Sequence, residues 1–193
     1  MKPKIKIENH NPTWAKTFQE IKTVLLSKIA EDILSIEHVG STSVVGLKAK
    51  PILDIDVVIK DDEEIQALVI KKLKTLGYHH IGNLGITGRE AFRKENEFVP
   101  FTKEPKKWIA HNFYVCKQGS IGLQNHILFR NYLIANPEAV ETYGKLKQDL
   151  AEKFPYDIDK YINGKTDFIT SILAKQGLES KTVDLISKEN LSN

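Results

Sequence analysis

The 193-residue chain contains a single cysteine, Cys116, and no apolar run that approaches the roughly 20 residues needed to span a bilayer. One cysteine excludes an internal disulfide and a metal site built from several cysteines. No apolar stretch of the signal-peptide kind follows the first lysines. These absences predict a cytoplasmic protein that has no membrane partner.

Charge of one sign is also scarce. The net charge is only +3, and lysines alternate with acidic residues along most of the chain. Mixed charge of this kind is typical of solvated helix faces rather than of a groove that binds nucleic acid. It suits a small anionic ligand equally well.

Hydrophobic periodicity predicts strands and helices in the first two-thirds of the chain and helices in the last third. The predicted strands cover 4–8, 33–39, 52–59, 90–94 and 109–116. A helix is expected after Asn11 and Pro12, and another between Asp61 or Asp62 and Gly77. Three more are expected over 123–135, 138–153 and 158–175.

This order of elements indicates an α/β or α+β fold with a helical C-terminal portion from about residue 122. We expect residues 1–178 to form a single domain and residues 179–193 to form a polar tail that frays. The aromatic and aliphatic residues at helical spacing in the first helix are predicted to be core residues, namely Trp14, Phe18, Ile21 and Leu25.

The segment from Gly40 to Asp56, GSTSVVGLKAKPILDID, carries the strongest chemical signal. Asp54 and Asp56 alternate with apolar residues on a predicted strand, so their side chains share one face. Two close carboxylates repel each other unless a cation lies between them. Mg²⁺ prefers oxygen ligands and commonly keeps substrate phosphates in its shell. A bare Asp-x-Asp pair can equally be an exposed, solvated strand face.

The turn before this strand supplies groups that suit a phosphate. Gly40 allows the backbone to approach a ligand, while Ser41 and Thr42 offer hydroxyl and N–H donors. Lys50 adds positive charge just before the strand. A P-loop is excluded, because five residues separate Gly40 from Gly46 and a leucine follows the second glycine.

These residues resemble a known family. A Gly-Ser pair, twelve residues and then Asp-hydrophobic-Asp-hydrophobic is similar to the signature of the nucleotidyltransferase superfamily. The stretch HVGSTSVVGLKAKPILDIDVVI resembles the GrpB family more closely, and so do LFRNYLIANPEAVETYGKLKQDLA and the spacing of Tyr161, Lys165 and Phe168. The resemblance implies an α+β fold with a nucleotidyltransferase-like mixed sheet flanked by helices. It also implies that Gly40, Ser41, Asp54 and Asp56 are the site positions.

The resemblance leaves several functions open. One is an Mg²⁺-dependent enzyme that transfers a nucleotidyl group from a nucleoside triphosphate to an unknown acceptor. Another is a non-catalytic module that binds a nucleotide or a coenzyme A precursor, because relatives are sometimes fused to dephospho-CoA kinase, which implies a link to coenzyme A biosynthesis. A third is a folding or interaction domain with a relict site.

One feature departs from the superfamily pattern. Active members usually add a third carboxylate from a later strand, and the corresponding strand here reads His111-Asn112-Phe113-Tyr114 without an acid. We therefore predict that His111 takes that place as a catalytic residue, with Glu90 and Glu97 as weaker alternatives.

Four further residues have two interpretations each. Arg130 either binds substrate phosphate or makes a structural salt bridge. Lys147 and Lys165 either reach phosphate or extend into solvent. His38 either lines the site or is a structural histidine at a strand end.

Overall fold

Strands and helices are mixed up to residue 117 and helices follow, in a computed structural model that describes residues 3–191. The strands are β1 Ser35–Val39, β2 Leu53–Ile59, β3 Tyr78–His80, β4 Arg89–Lys94 and β5 His111–Lys117. The helices are α1 Thr13–Ile29, α2 Glu63–Lys74, α3 Ile121–Ala135, α4 Pro137–Lys153, α5 Ile158–Asn163, α6 Thr166–Lys175 and α7 Ser180–Leu191.

The five strands form one mixed sheet in the order β1-β2-β5-β4-β3. Only β2 and β5 pair in parallel, while the other neighbours pair antiparallel. β2 is an interior strand, and Leu53, Ile55, Val57 and Ile59 are buried on one of its faces. The α+β class and the mixed sheet are as predicted.

The main core lies between one face of the sheet and helices α1 and α2. It joins Trp14 and Phe18 of α1 to Leu53, Ile55 and Val57 of β2. The prediction that the α1 aromatic residues are core residues is therefore confirmed. The opposite face of the sheet is covered by α3, where Leu123 packs on Val58 and Cys116. This second face carries the polar residues of β2.

The predicted helix starts follow from side-chain capping. Asp62 Oδ1 accepts hydrogen bonds from the N–H groups of Glu64 and Ile65, at 2.8 and 3.0 Å. Asn11 Oδ1 accepts from the N–H of Thr13 at 3.0 Å. Within residues 3–191, no helix has the length and apolarity needed to cross a membrane.

Three local predictions differ from the structure. Residues 4–8 form no strand, because the segment pairs through a single bridge between Glu8 and Ala49. The predicted helix over 158–175 is divided into α5 and α6 around Gly164, where a Cβ would lie 2.4 Å from the Leu150 side chain. The expected polar tail is helical from Ser180 to Leu191, and the side chain of Ile186 is buried. β3 was not predicted.

Candidate functional site

Asp54 and Asp56 lie on the face of β2 that α3 covers. The Asp54 carboxylate accepts a hydrogen bond at 2.7 Å from Nδ2 of Asn112, its neighbour on β5. Asp56 is 0% exposed, which shows that it does not belong to a solvated strand face. Its Oδ2 lies 2.7 Å from Nδ1 of His126 on α3. Its Oδ1 has no hydrogen-bond partner among the described residues.

The burial of these acids shifts nearby pKa values. Burial is the main reason that the pKa of Asp54 is raised, and the hydrogen bond from Asn112 acts against it. Burial by itself would lower the pKa of His126, but the charge of Asp56 and the hydrogen bond with it act against burial, and the pKa is raised. The carboxylates and the imidazole therefore form one electrostatically coupled group.

The turn after β1 lies directly against Asp54. Gly40 has a φ of +67°, and a Cβ at this position would lie 2.0 Å from Asp54 Oδ2. Only glycine combines this backbone conformation with such a close approach. Ser41 follows, and its Oγ accepts a hydrogen bond at 2.9 Å from Lys147 Nζ. The predicted proximity of Gly40 and Ser41 to the carboxylates is therefore present in the structure.

Thr42 does not join them. Its side chain is buried, and its Oγ1 lies 3.0 Å from Nε2 of His38. The His38 ring stacks on Phe18 at 4.7 Å, and burial lowers its pKa to about 4. Both residues thus belong to the packing between β1 and α1, and of the two interpretations of His38 the structure favours the structural one.

A cavity of about 210 Å³ opens beside the carboxylates. The β1–β2 turn contributes Gly40 and Ser41 to its wall, and α3 contributes Asn125 and His126. Helix α4 and the start of α6 close the other side, where Tyr143 and Lys165 line the wall. Tyr114 of β5 completes the wall, so residues from five separate parts of the chain converge on Asp54.

Two opposing effects act on the pKa values of Lys50, Lys147 and Lys165. The charge of nearby Asp54 raises each pKa, but burial lowers it by more, so each pKa is lowered overall. Lys147 is 2% exposed, donates to Ser41 Oγ and to the Lys48 carbonyl, and has a pKa lowered to about 7. Burial and the neighbouring Lys50 lower the pKa of Lys165 to about 8. Burial likewise lowers the pKa of Lys50. An anion entering the cavity would favour the charged forms of all three.

His111 is not beside the carboxylates, so its predicted position is wrong. Its neighbour across the parallel pairing is Leu53, and it therefore shares the core face of the sheet. Its Nε2 lies 2.8 Å from the Tyr78 hydroxyl, its Nδ1 lies 3.1 Å from the Ile109 carbonyl oxygen, and burial lowers its pKa to about 4. The residues that face Asp54 and Asp56 from β5 are Asn112 and Tyr114.

The weaker alternatives also lie elsewhere. Glu90 is 2.5 Å from Nε2 of His80, and Glu97 is 2.7 Å from Nζ of Lys107. Neither lines the cavity beside Asp54. The neutral amide of Asn112 therefore occupies the place next to Asp54 where His111 was predicted to replace a third carboxylate.

Arg130 is engaged in a structural ion pair. Its Nη1 donates to Glu37 Oε2 at 2.9 Å and to the His38 carbonyl oxygen at 3.0 Å, which ties α3 to β1. Of the two interpretations given to Arg130, the geometry shows the salt bridge. The predicted substrate-binding role of Arg130 therefore has no support from its contacts.

His126 and Asn112 were not predicted from the sequence. His126 had a weak signal, its position four residues before Arg130, because Gln124 and Asn125 beside it are polar as well. Residues four apart lie on one helix face, and here both histidine and arginine face the sheet. Asn112 had no signal of its own, since its role depends on its pairing with Asp54.

The two carboxylates suit a hard cation with oxygen ligands. The unpartnered Oδ1 of Asp56 is a buried acceptor that lacks a donor or cation, and Asp54 presents a second carboxylate on the same face. Among the described residues, no group of three or more His, Cys, Asp or Glu side chains is placed to hold a metal ion. A cation at Asp54 and Asp56 would therefore complete its shell with oxygens from a ligand or from water.

The chain matches the GrpB protein family over residues 4–175. It belongs to the GrpB family. It is 34% identical to the glutamate-rich protein GrpB of Alkalihalophilus pseudofirmus, over 89% of this chain and 95% of that protein. It also resembles the crystal structure of the conserved protein GrpB from Enterococcus faecalis, with a TM-score of 0.73 and 33% identity over 88% of this chain and 96% of the other.

Two more distant similarities extend this result. A chain of the GLD-2/RNP-8 complex superposes with a TM-score of 0.53 at 10% identity, covering 84% of this GrpB chain and 60% of the other, which shows a shared fold alone. A dephospho-CoA kinase of Mycolicibacterium paratuberculosis is 25% identical over 79% of this chain, which covers 41% of the kinase.

Proposed function

We propose that this GrpB protein binds a nucleoside triphosphate with Mg²⁺ in the cavity beside Asp54 and transfers its nucleotidyl group to an acceptor hydroxyl. The observation that carries the proposal is the buried Asp56 carboxylate, whose Oδ1 has no partner and which shares a strand face with Asp54. Burying an unsatisfied carboxylate is unfavourable unless a cation or a donor reaches it. A bound metal–triphosphate would account for this acid pair and for the lysines around it.

The residues of the cavity divide into two sets. Asp54 and Asp56 would hold the metal, which supplies charge neutralisation at the phosphate and lowers the pKa of a bound hydroxyl. Lys165 lines the cavity and presents an ammonium toward the phosphates, and Ser41 offers its hydroxyl. Lys147 holds Ser41 Oγ at 2.9 Å and acts as a positioning residue.

Asn112 determines where the acceptor's proton goes. A neutral amide cannot take a proton from an attacking hydroxyl. Asp54 would be a ligand of the cation, which would oppose the rise in pKa that burial causes, so we assign proton acceptance to water in the cavity rather than to this carboxylate. The amide of Asn112 then fixes the orientation of the Asp54 carboxylate through its 2.7 Å hydrogen bond.

Calorimetry tests nucleotide binding directly. ATP, GTP, CTP and UTP are titrated into the protein with and without Mg²⁺, and at least one of them should bind in an Mg²⁺-dependent manner. Asp54→Asn should remove that dependence. Asp149→Asn is the matched control, since Asp149 is an exposed acid paired with Lys145 at 2.7 Å. If folded wild-type protein binds none of the four nucleotides with Mg²⁺, the proposal is wrong.

A second candidate function is non-catalytic binding of a nucleotide or a coenzyme A precursor. Two observations favour it: the neutral Asn112 in place of an acid, and the similarity to a dephospho-CoA kinase. In this case dephospho-CoA or ATP binds, and Asp54→Asn abolishes metal-assisted binding without any turnover being seen. Release of labelled pyrophosphate in the presence of an acceptor would decide in favour of the transferase.

A further inference from the structure

Arg89 is a buried arginine whose charge has no carboxylate partner among residues 3–191. It lies on β4 and is 8% exposed. Its Nε has no hydrogen-bond partner, and no carboxylate of the described residues pairs with its guanidinium. The guanidinium instead lies over the Tyr114 ring, 4.5 Å from the ring centroid. Because buried charges are ordinarily paired, an unpaired guanidinium indicates that an anion is missing.

The N-terminus of α3 adjoins this arginine and also lacks a partner. The N-cap residue Ser120 makes no capping hydrogen bond, and the first turn holds no acidic residue. The Ser120 hydroxyl is itself buried without a partner. The first N–H groups of a 15-residue helix carry a partial positive charge that favours an anion.

Packing brings the two features together. The Arg89 Cδ lies 3.7 Å from the position that a Cβ would take on Gly122, in the first turn of α3. The Ser120 Cβ lies 2.7 Å from the corresponding position on Gly88, the residue before Arg89. Gly88 therefore lets Ser120 approach the start of β4, and the Arg89 stem packs on the first turn of α3. The guanidinium charge that this stem carries and the positive end of the helix repel each other unless an anion lies between them.

The acids of this region are engaged elsewhere. Asp61 and Glu63 pair with Lys117, at 2.9 and 2.5 Å. Asp56 pairs with His126 at 2.7 Å.

We propose that Arg89, the Ser120 hydroxyl and the first-turn N–H groups of α3 form a binding site for a phosphate or carboxylate group. Both groups have paired oxygens that match the guanidinium fork, and both accept N–H bonds at a helix N-terminus. Tyr114 contacts Arg89 on this side and lines the cavity of Asp54 on the other. We assign the bound phosphate or carboxylate group to the acceptor molecule of the proposed nucleotidyl transfer. This assignment rests on the proposed function, whereas the anion site itself does not.

Two-dimensional ¹⁵N–¹H NMR tests the site without Mg²⁺ or nucleotide. Inorganic phosphate and acetate are titrated separately as probes of the two chemistries. At least one should produce saturable shifts of the backbone amides of Ile121, Gly122 and Leu123. Arg89→Gln should weaken that binding about tenfold or more, the loss expected for hydrogen bonds to a charged group.

Two control variants locate the effect. Arg93→Gln removes an exposed arginine of the same strand and should leave the shifts unchanged. Lys165→Gln alters the proposed triphosphate site and should leave them unchanged as well. Should Arg89→Gln fail to fold, Ser120→Asp supplies a second test, because its carboxylate would occupy the site and should abolish the shifts.

The outcomes separate this site from the nucleotide site. Absence of saturable shifts with either anion overturns the proposal, and so do shifts that persist in Arg89→Gln. Shifts that vanish in Lys165→Gln but persist in Arg89→Gln would assign the anion to the lysines and also refute the site at Arg89. If phosphate shifts remain while no nucleotide binds with Mg²⁺, the anion site stands and the proposed transferase function fails.

Discussion

Replacement of Gly40 by alanine should be strongly destabilising, because two effects act at once. The backbone of Gly40 has φ +67° and ψ −171°, a conformation that residues with a Cβ rarely adopt. The added Cβ would also lie 2.0 Å from Asp54 Oδ2 and 2.8 Å from Asp54 Cγ. The Asp54 carboxylate would have to move, and its hydrogen bond from Asn112 would break.

The magnitude follows from these two effects. Backbone strain of this kind costs about 1–3 kcal/mol, and loss of a hydrogen bond to a charged group costs about 1.5–3 kcal/mol. We therefore expect Gly40→Ala to lower the free energy of unfolding by roughly 3 kcal/mol or more. For a chain of this size that corresponds to a fall in Tm of about 6–12 °C.

Urea and thermal unfolding followed by tryptophan fluorescence measure this effect, since Trp14 and Trp108 are both buried. Gly46→Ala is the control, because Gly46 also has a positive φ, +81°, but has no atom within 4 Å of an added Cβ. The double variant Gly40→Ala with Asp54→Ala should be more stable than additivity predicts, because it removes the clash. If Gly40→Ala is no more destabilising than Gly46→Ala, the close approach of the turn to Asp54 is refuted.

Three further predictions concern charge. Burial holds His111 neutral with a pKa of about 4, below the unfolded value of 6.5, so this residue should cost up to roughly 3 kcal/mol of stability as pH drops from 6.5 toward 4. His38 also has a pKa of about 4 and adds to the fall, so His111→Gln should reduce the slope in urea midpoints by about half. Lys147 has a pKa of about 7 when folded and 10.5 when unfolded, so stability should rise with pH across that window. Lys165, with a folded pKa of about 8, contributes to the upper part of the same rise, so Lys147→Met should reduce the rise and delay its onset to about pH 8. Asn112→Asp places a carboxylate beside Asp54 and should lower Tm without Mg²⁺ and recover it with Mg²⁺; an Mg²⁺-independent Tm would contradict metal binding at this pair.

Much of the fold could be predicted because each element carries a local signal. β2 alternates acids with buried aliphatic residues, and α2 begins at a capping aspartate. β3 was not predicted because it has only three residues, and two of them, His79 and His80, are exposed. Residues 4–8 alternate like a strand, but a strand also needs a partner along its length, and here only Glu8 has one.

Only the part of the site that lies on β2 could be predicted from the sequence. Alternation places Asp54 and Asp56 on one face whatever the rest of the chain does. Which residue of β5 faces them depends on register, and a shift of one residue exchanges His111 for Asn112. His126 reaches Asp56 from 70 positions away, a proximity that one sequence without its fold does not determine.

The relict-site interpretation conflicts with the energetics of this face of the sheet. Asp56 and Arg89 are both buried, both carry an atom without a hydrogen-bond partner, and neither pairs with the other. A buried charge without a full set of partners lowers stability, and an apolar residue of similar size would often be neutral or stabilising in its place. Stability alone therefore gives no reason for either residue. A cation at Asp56 and an anion at Arg89 would each satisfy a group that the fold leaves without a partner. Such an arrangement is expected of a site that is organised to bind ligands rather than to maximise stability.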